Sequence, residues 1–244
     1  RALEITAAGG HNLFMFGPPG GGKSLLAKAL PSILPKLHFQ EALEVTKIYS
    51  VAGLLGENQT LLQSRPFRSP HHISSDVSLV GGGTPPRIGE ITLSHRGVLF
   101  LDEFPEFRRD VLESLRQPLE DGRITITRAR YNVSYPARFM LVAASNPCPC
   151  GYLNSPDRAC TCSIASIAMY RRKLSGPLMD RMDLFIEVPA LKYEKLVEPD
   201  ANNASASVKE NIEKARAVQK ARFANDHILV NAEMNITHIK KYCQ

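Results

Sequence analysis

The feature that most constrains the fold of this chain is the octapeptide GPPGGGKS at residues 17–24. It fits the pattern G-x-x-x-x-G-K-[ST], whose glycines let backbone N–H groups surround phosphate oxygens where a Cβ atom would obstruct them. The apolar run HNLFMFG (11–17) before it predicts a buried strand. The stretch KSLLAKALPSIL (23–34) after it predicts a helix that ends or is interrupted near Pro31. This order predicts a phosphate-binding loop in an α/β sheet.

The phosphate-binding loop contains candidate ligands for a nucleotide and for its magnesium ion. Lys23 is expected to reach the β- and γ-phosphates, and Ser24 is expected to hold Mg²⁺ through its hydroxyl. The positive end of the helix dipole favours the phosphates as well. The alternative is a glycine-rich turn that happens to carry a lysine, and the strand–loop–helix context disfavours it. The expected ATP-binding residues are Gly17, Pro18, Pro19, Gly20, Gly21, Gly22, Lys23, Ser24 and Leu25.

Two acids follow a second apolar run, GVLFLDE (97–103), which predicts another buried strand. Ligands of parallel sheets bind beyond the carboxyl ends of the strands, where both acids would emerge. We expect Asp102 to hold Mg²⁺, directly or through water, and Glu103 to act as the general base for the attacking water. Two surface acids at a strand end are the alternative, which the phosphate-binding loop disfavours.

The remaining patterns complete a sheet. RFMLVAAS (138–145) and DLFIEVP (183–189) predict two more buried strands, and RITITRARYNVSY (123–135) alternates as a β-hairpin does. The stretch 108–122 predicts a helix as far as Pro118. Strands that alternate with helices predict an α/β fold with a parallel sheet flanked by helices.

An amide stands at the end of the strand predicted over 138–145. Asn146 could hydrogen-bond the γ-phosphate or the attacking water there. The alternative is a turn-forming asparagine before Pro147.

Length and composition bound the domain organisation. A chain of 244 residues with 43% apolar residues suits one large domain, or a core domain with a small appendage. The composition changes after Pro189, and VEPDANNASAS (197–207) predicts a linker that precedes further helices. We expect an ATP-binding core at 1–190 and a smaller helical part at 191–244.

Several classes of protein are disfavoured by the sequence. No apolar run reaches the roughly 18 to 20 residues that a membrane helix needs, and no secretory signal is recognisable. We therefore expect a cytoplasmic protein with reduced thiols. Because the chain starts with Arg1 rather than methionine, we expect a fragment of a longer protein. The net charge of +6 is compatible with a nucleic-acid partner but does not identify one.

Four of the five cysteines fall within SNPCPCGYLNSPDRACTC (145–162). Cys148, Cys150, Cys160 and Cys162 match the four ligands of a tetrahedral Zn²⁺ site, although paired zinc ligands are usually two to four residues apart. We hypothesise a structural zinc loop, with four reduced free thiols as the alternative. A reducing compartment argues against two disulfides.

Six stretches together resemble one known family, the AAA+ ATPases of the magnesium-chelatase-like group. They are GGHNLFMFGPPGGGKS, PFRSPHH, GEITLSHRGVLFLDEFPEF, LRQPLEDG, ASNPCPCG and LSGPLMDRMDLFIEV. The resemblance covers residues 1 to 190 in order. Magnesium chelatase ATPase subunits share the core motifs but lack the CPCG…CTC insertion, so the bacterial competence-type branch of the group is the better match.

The resemblance implies a P-loop AAA+ fold with a β-hairpin insertion and a small helical lid, here truncated. It also implies a ring homo-oligomer, commonly a hexamer, with ATP at each subunit interface. Asn146 would be the sensor residue, and Arg181 would reach the neighbour's γ-phosphate as an arginine finger. A salt bridge of Arg181 with Asp180 or Asp183 is the alternative.

The lid of this family usually carries a second sensor arginine. The sequence does not identify it, although Arg216 and Arg222 lie in the lid region. Two adjacent histidines, His71 and His72, could line a central channel or a subunit contact, and no third metal ligand is evident beside them.

The predicted hairpin region, 122–138, suggests what the motor acts on. It holds no acid and four arginines, namely Arg123, Arg128, Arg130 and Arg138. Such a cluster suits a DNA backbone, and a solvated edge strand protected by its charges is the alternative.

Three functions remain open at this stage. The competence-type resemblance implies a DNA motor, such as a ring helicase or a branch-migration enzyme. The chelatase resemblance implies an ATP-driven chaperone for metal insertion into a porphyrin. A nucleotide-binding scaffold without turnover is the third possibility. The cysteine insertion and the arginine-rich hairpin favour the DNA motor.

Overall fold

The computed structural model describes the whole chain except residues 58, 84–86, 129–130, 156–157, 175, 191–203, 227 and 244. The predicted linker at 197–207 lies outside the described residues as far as 203, and its last four residues are not a linker but the start of a helix at Ala204. The division of the chain after residue 190 stays a prediction. Among the described residues, no helix combines the length and the apolar character that crossing a membrane requires.

The elements are numbered here in chain order. The strands are β1 (Leu13–Phe16), β2 (Phe67–Arg68), β3 (Gly81–Gly82), β4 (Arg87–Ile88), β5 (Val98–Leu101), β6 (Arg123–Arg128), β7 (Tyr131–Pro136), β8 (Met140–Ser145) and β9 (Leu184–Glu187). The helices are α1 (Ala2–Gly9), α2 (Lys23–Ile33), α3 (Phe39–Val51), α4 (Asp76–Val80), α5 (Glu90–Leu93), α6 (Arg109–Glu113), α7 (Arg116–Asp121), α8 (Ile164–Lys173), α9 (Ala204–Arg222) and α10 (Ile236–Tyr242). Short 3₁₀ turns lie at Phe104–Glu106, Met179–Arg181 and Asn231–Glu233.

A five-stranded parallel sheet in the order β2-β5-β8-β1-β9 forms the centre of the molecule. The strand β1 pairs with β8 on one side and with β9 on the other, so that Phe14 lies opposite both Ala143 and Phe185. Helices flank this sheet, and the structure therefore confirms the predicted α/β fold of the P-loop AAA+ type.

The alternation of side chains along β1 divides the core into two layers. Leu13 and Met15 pack with α2 and with Ile212 of α9 on one face. Phe14 packs on the other face against Phe104, whose ring it meets edge-on at a centroid distance of 5.9 Å. Because both faces are covered, the central strands are continuous apolar runs.

Several details of the secondary structure differ from the sequence-based prediction. The helix predicted as far as Pro118 is two helices, α6 and α7, and the second continues beyond Pro118. Pro118 lies in the first turn of α7, where its missing N–H would have had no partner within the helix. The edge strand β2 was not predicted, because two residues carry no periodicity.

The predicted hairpin is present as the antiparallel pair β6–β7. Ile124 and Ile126 of β6 are buried. Gly122 ends α7 with a left-handed φ of 64° and leads directly into the hairpin. The side chains of Arg128 and Arg130, which the DNA hypothesis invokes, lie outside the described part of the chain.

The helix α9 of the predicted lid packs against α1. The guanidinium of Arg216 donates to the carbonyl oxygen of Ala7 at 2.8 Å, and the Gln219 amide donates to that of Ala8 at 2.8 Å. Burial lowers the pKa of Arg216 to about 10. Arg222 has an exposed hydrogen bond to Asn231.

Candidate nucleotide site and cysteine loop

The phosphate-binding loop, residues 17–24, joins the carboxyl end of β1 to the amino end of α2. Gly22 precedes α2 with a left-handed φ of 82°, which glycine adopts at little cost. Gly17 runs so close to the chain after β9 that a Cβ atom would lie 2.0 Å from the carbonyl oxygen of Val188. Glycine is therefore required at position 22 for the left-handed turn of the loop and at position 17 for its close approach to the chain after β9.

The ammonium group of Lys23 lies inside this loop. Its Nζ donates to the carbonyl oxygens of Gly17 at 2.7 Å and Pro18 at 2.8 Å, and to Oδ1 of Asn146 at 3.2 Å. Only 8% of the residue is exposed. Burial lowers the pKa of Lys23, and the charge of Asp102 opposes that shift.

The predicted magnesium ligands lie together although 78 residues separate them in the sequence. The hydroxyl of Ser24, at the start of α2, donates to Oδ2 of Asp102, just after β5, at 2.5 Å. The other carboxylate oxygen of Asp102 accepts the backbone N–H of Glu103 at 2.9 Å. A hydroxyl and a carboxylate in contact provide the oxygen ligands that Mg²⁺ prefers.

Glu103 follows Asp102 with a left-handed φ of 51°, unusual for a residue with a side chain. Its exposed carboxylate pairs with Nδ1 of His72 at 3.0 Å. The ring of His72 lies against His71, at a centroid distance of 4.2 Å, and edge-on to Phe107. The sequence predicts no such contact for His72, because nothing in a local pattern indicates a partner 31 residues away.

Asn146 lies where the sequence placed it, at the carboxyl end of β8. The backbone N–H of Gly17 donates to the carbonyl oxygen of Ser145 at 3.3 Å, which ties the phosphate-binding loop to this strand end. Lys23, Ser24, Asp102 and Asn146 are therefore brought together at one edge of the sheet, which we call the carboxyl edge.

Arg181 lies at the opposite, amino edge. Its carbonyl oxygen accepts the side-chain amide of Asn12, the residue before β1, at 2.9 Å. Its guanidinium donates to Glu120 at 2.5 Å, and 46% of the side chain is exposed. The arginine also lowers the pKa of Glu120. The ion pair expected as the alternative is therefore formed with Glu120, and not with Asp180 or Asp183.

The amino edge also surrounds a cavity of about 690 Å³ that the sequence did not predict. Charged residues line it, among them the ion pair of Arg65 and Glu41, each with 9% of its side chain exposed. Arg138 of the hairpin region pairs with Glu233 there at 3.2 Å. The expectation of four uncompensated arginines is therefore wrong for Arg138.

The segment between β8 and α8, residues 146–163, is called the cysteine loop below. Its Sγ atoms lie close together: Cys148 is 3.4 Å from Cys150 and 3.7 Å from Cys160, and Cys150 is 3.5 Å from Cys160. Cys162 accepts the backbone N–H of Cys150 at 3.3 Å. All four Sγ atoms lie within 4.8 Å of one another, and no disulfide joins them. The structure thus forms the four-thiol cluster that the zinc hypothesis requires.

The surroundings act differently on two of these thiols. Backbone N–H groups of Tyr152 and Thr161 lower the pKa of Cys150 to about 5. A backbone hydrogen bond from Cys162 favours the thiolate of Cys160 too, but burial and the hydrogen bond with Cys150 outweigh it and raise the pKa of Cys160 to about 12.

Comparison with known proteins agrees with this geometry. The family described as magnesium chelatase, subunit ChlI, matches residues 1–196. The protein YifB of Salmonella typhimurium is 45% identical over 245 residues, which covers 100% of this chain and 47% of YifB. The competence protein ComM of Haemophilus influenzae is 46% identical over 249 residues, with the same coverage.

Similarity to named chelatase subunits is more distant. The magnesium-chelatase 38 kDa subunit of Rhodobacter capsulatus is 27% identical over 165 residues, which covers 60% of this chain and 46% of that subunit. The chain spans about half the length of the curated relatives that it matches. These matches confirm the resemblance to the magnesium-chelatase-like group and to its competence-type branch. The chain therefore belongs to the magnesium chelatase ChlI family.

Proposed function

We propose that this chain is the ATP-hydrolysing core of a ring-forming AAA+ motor that acts on DNA. The observation that carries the ATPase part is the meeting of Lys23, Ser24, Asp102 and Asn146 at the carboxyl edge, contributed by three different strand ends. A parallel sheet binds its ligand at this edge.

Each residue has a distinct task in the proposed reaction. Lys23 holds the β- and γ-phosphates as a point charge, and Ser24 and Asp102 hold Mg²⁺, which neutralises charge on the phosphate oxygens. Glu103 accepts a proton from the attacking water. Asn146 donates a hydrogen bond from its amide nitrogen to the γ-phosphate or to that water.

The ring is supported by the position of Arg181. The arginine lies at the amino edge, whereas the phosphate-binding loop of the same chain follows the other end of β1. A guanidinium at that place cannot serve the nucleotide of its own subunit. It can serve a neighbour whose carboxyl edge faces it, with ATP at the interface. The ring size of six follows from the family resemblance alone.

The DNA part of the proposal is supported by the similarity to a protein named for competence, which extends over the whole of this chain and over 47% of that relative. Within the hairpin, Arg123 is exposed and has no ion pair among the described residues. Arg128 and Arg130 add two more cations to the same stretch of sequence. A chelatase subunit is the second candidate, favoured only by the family description and by the 27% identity to a named subunit.

The test is ATP hydrolysis by the protein with and without forked DNA. We expect hydrolysis that DNA stimulates, and a Lys23→Ala variant that no longer binds ATP tightly, because the phosphates lose their point charge. A rate of ATP hydrolysis that DNA leaves unchanged but a porphyrin-binding partner increases would favour the chelatase function. A wild-type protein that binds ATP without turnover would favour the scaffold.

The hairpin has its own test. Replacement of both Arg128 and Arg130 by alanine should weaken DNA binding and lower its salt dependence by about one unit of log–log slope per lost phosphate contact. Arg138→Ala is the matched control, since Glu233 already neutralises that arginine. Unchanged DNA affinity in the double variant would assign DNA to another surface.

For the cysteine cluster we propose Zn²⁺ as the resident ion. With Zn–S bonds of about 2.3 Å, the edge of a Zn–S₄ tetrahedron is about 3.8 Å. The three separations among Cys148, Cys150 and Cys160, 3.4 to 3.7 Å, are close to that edge, and the Sγ atom of Cys162 lies within 4.8 Å of the other three. Reduced thiols fit the proposed cytoplasmic location. Metal analysis of protein purified without chelator should find about one zinc per chain.

A further inference from the structure

The cysteine loop has almost no interior of its own. Among its described residues none belongs to a helix or a strand, and only Cys148 and Gly151 are buried. A segment of this length with so few buried residues gains little from packing, so a cross-link would offset much of the chain entropy lost in ordering it.

The two buried residues face different neighbours. Cys148 faces the other thiols of the cluster. Gly151 lies against the phosphate-binding loop, so closely that a Cβ atom would be 2.6 Å from Cγ of Pro19. Its φ of 86° is left-handed, which glycine alone adopts readily. One end of this short stretch is thus fixed by thiols, and the other supports the nucleotide site.

A second contact joins the same two loops. Asn146, two residues before Cys148, accepts a hydrogen bond from Nζ of Lys23 at 3.2 Å. A Cβ atom on Gly151 would also lie 3.7 Å from Cγ of Asn146. The cysteine loop therefore meets the phosphate-binding loop at the ring of Pro19 and at the charged side chain of Lys23.

We propose that the metal-loaded cysteine loop is the support of the phosphate-binding loop, so that zinc bound by the four thiolates raises the affinity for ATP. This inference rests on the proposed zinc site. It requires no chemical step, because the ion only fixes the shape of the cysteine loop. By linkage the coupling is reciprocal, so bound nucleotide must strengthen zinc binding by the same factor.

The first test removes the ion from the wild-type protein with a zinc chelator under reducing conditions. Titration with a non-hydrolysable fluorescent ATP analogue and Mg²⁺ should then show about tenfold weaker binding, within the range typical of coupled sites. Added zinc should restore the affinity. Zinc release should in turn be slower with the analogue bound. Cys162→Ser should reproduce the weak binding, and Cys243→Ser, which alters the exposed cysteine outside the cluster, should not.

The second test breaks the contact and leaves the thiols in place. Gly151→Ala should retain zinc but bind the analogue about tenfold more weakly, because the new methyl group displaces Pro19. Gly53→Ala is the matched control. Gly53 has a similar left-handed φ of 69°, but a Cβ atom there meets nothing within 4 Å.

The outcomes separate the two proposals. Fewer than about 0.2 zinc ions per purified chain, against the four-ligand site expected, would overturn the zinc site and the coupling together. Normal zinc content, with unchanged analogue affinity in both the stripped protein and Gly151→Ala, would overturn the coupling alone.

Discussion

The two edges of the central sheet use charge in opposite ways. At the carboxyl edge, Lys23 is held by neutral oxygen atoms, and no carboxylate in the described part of the chain pairs with it directly. At the amino edge, Arg65 and Glu41 neutralise each other in a bidentate pair at 2.8 and 3.1 Å. A buried cation bonded only to neutral groups is ready for an anionic ligand, whereas a matched pair serves the fold. The difference indicates that the carboxyl edge suits an anionic ligand and that the amino edge contributes to the stability of the fold.

Arg181 is the exception to this division, and its removal should have the largest effect. If it serves a neighbour's phosphate, Arg181→Ala should lower kcat by about 10³-fold or more with ATP binding retained. Glu120→Gln is the matched control, since it removes the same ion pair but leaves the guanidinium. Mixing Arg181→Ala with a Glu103→Gln variant should restore some turnover at mixed interfaces. Equal losses in Arg181→Ala and Glu120→Gln would assign the arginine to stability alone.

At the carboxyl edge, Glu103→Gln should lower kcat by about 10²- to 10⁴-fold, because an amide cannot accept the proton of the attacking water. Affinity for the fluorescent ATP analogue should remain near that of the wild type. The variant thus contrasts with Lys23→Ala, which loses binding itself. Both variants losing nucleotide affinity to the same degree would contradict the separate roles.

Substitutions at the amino edge should lower the free energy of unfolding and leave nucleotide binding unchanged. Arg65→Met leaves the carboxylate of Glu41 buried without its partner, which should cost about 3–5 kcal/mol of unfolding free energy. Urea unfolding measures the loss, and nucleotide titration in the folded range should show wild-type affinity. The double variant Arg65→Met/Glu41→Gln should recover part of the stability. A large loss of nucleotide affinity in a folded Arg65→Met protein would remove the distinction between the two edges.

His95 offers the smallest and most specific test. It is 2% exposed, its Nδ1 accepts the N–H of Arg138, and its Nε2 is 3.1 Å from Glu44, so the folded state holds it neutral. Burial lowers its pKa from 6.5 to about 4. The unfolded chain therefore takes up the proton first as the pH falls.

The stabilisation that His95 provides should consequently be complete above pH 6.5 and should decline by roughly 3 kcal/mol as the pH falls toward 4. Urea unfolding between pH 7 and 4.5 measures this slope. His95→Gln should be less stable at pH 7 but should show a flatter pH dependence. An identical slope in the variant would assign the acid sensitivity to other groups.

Whether a feature could be predicted from the sequence depends on how far apart its interacting residues lie along the chain. The phosphate-binding loop, Asp102 and the cluster of cysteines were accessible because each depends on a local pattern or on a strand end. The pairing of Arg65 with Glu41 across 24 residues and of His95 with Glu44 across 51 residues leaves no such pattern. The contact of His72 with Glu103 is of the same kind. Only the assembled sheet brings these partners together.

The hydrogen bonds of the Asn12 side chain have a consequence for motion within the proposed ring. The Asn12 side chain accepts the N–H of Leu141 at 2.8 Å and donates to the carbonyl of Arg181, so it fastens the arginine to the start of β1. The phosphate-binding loop leaves the other end of this four-residue strand, about 13 Å away. In a ring built as proposed, β1 would connect the sites of two consecutive nucleotides rigidly. A tilt imposed on the phosphate-binding loop by one ATP would then be transmitted through β1 to the arginine that serves the next nucleotide.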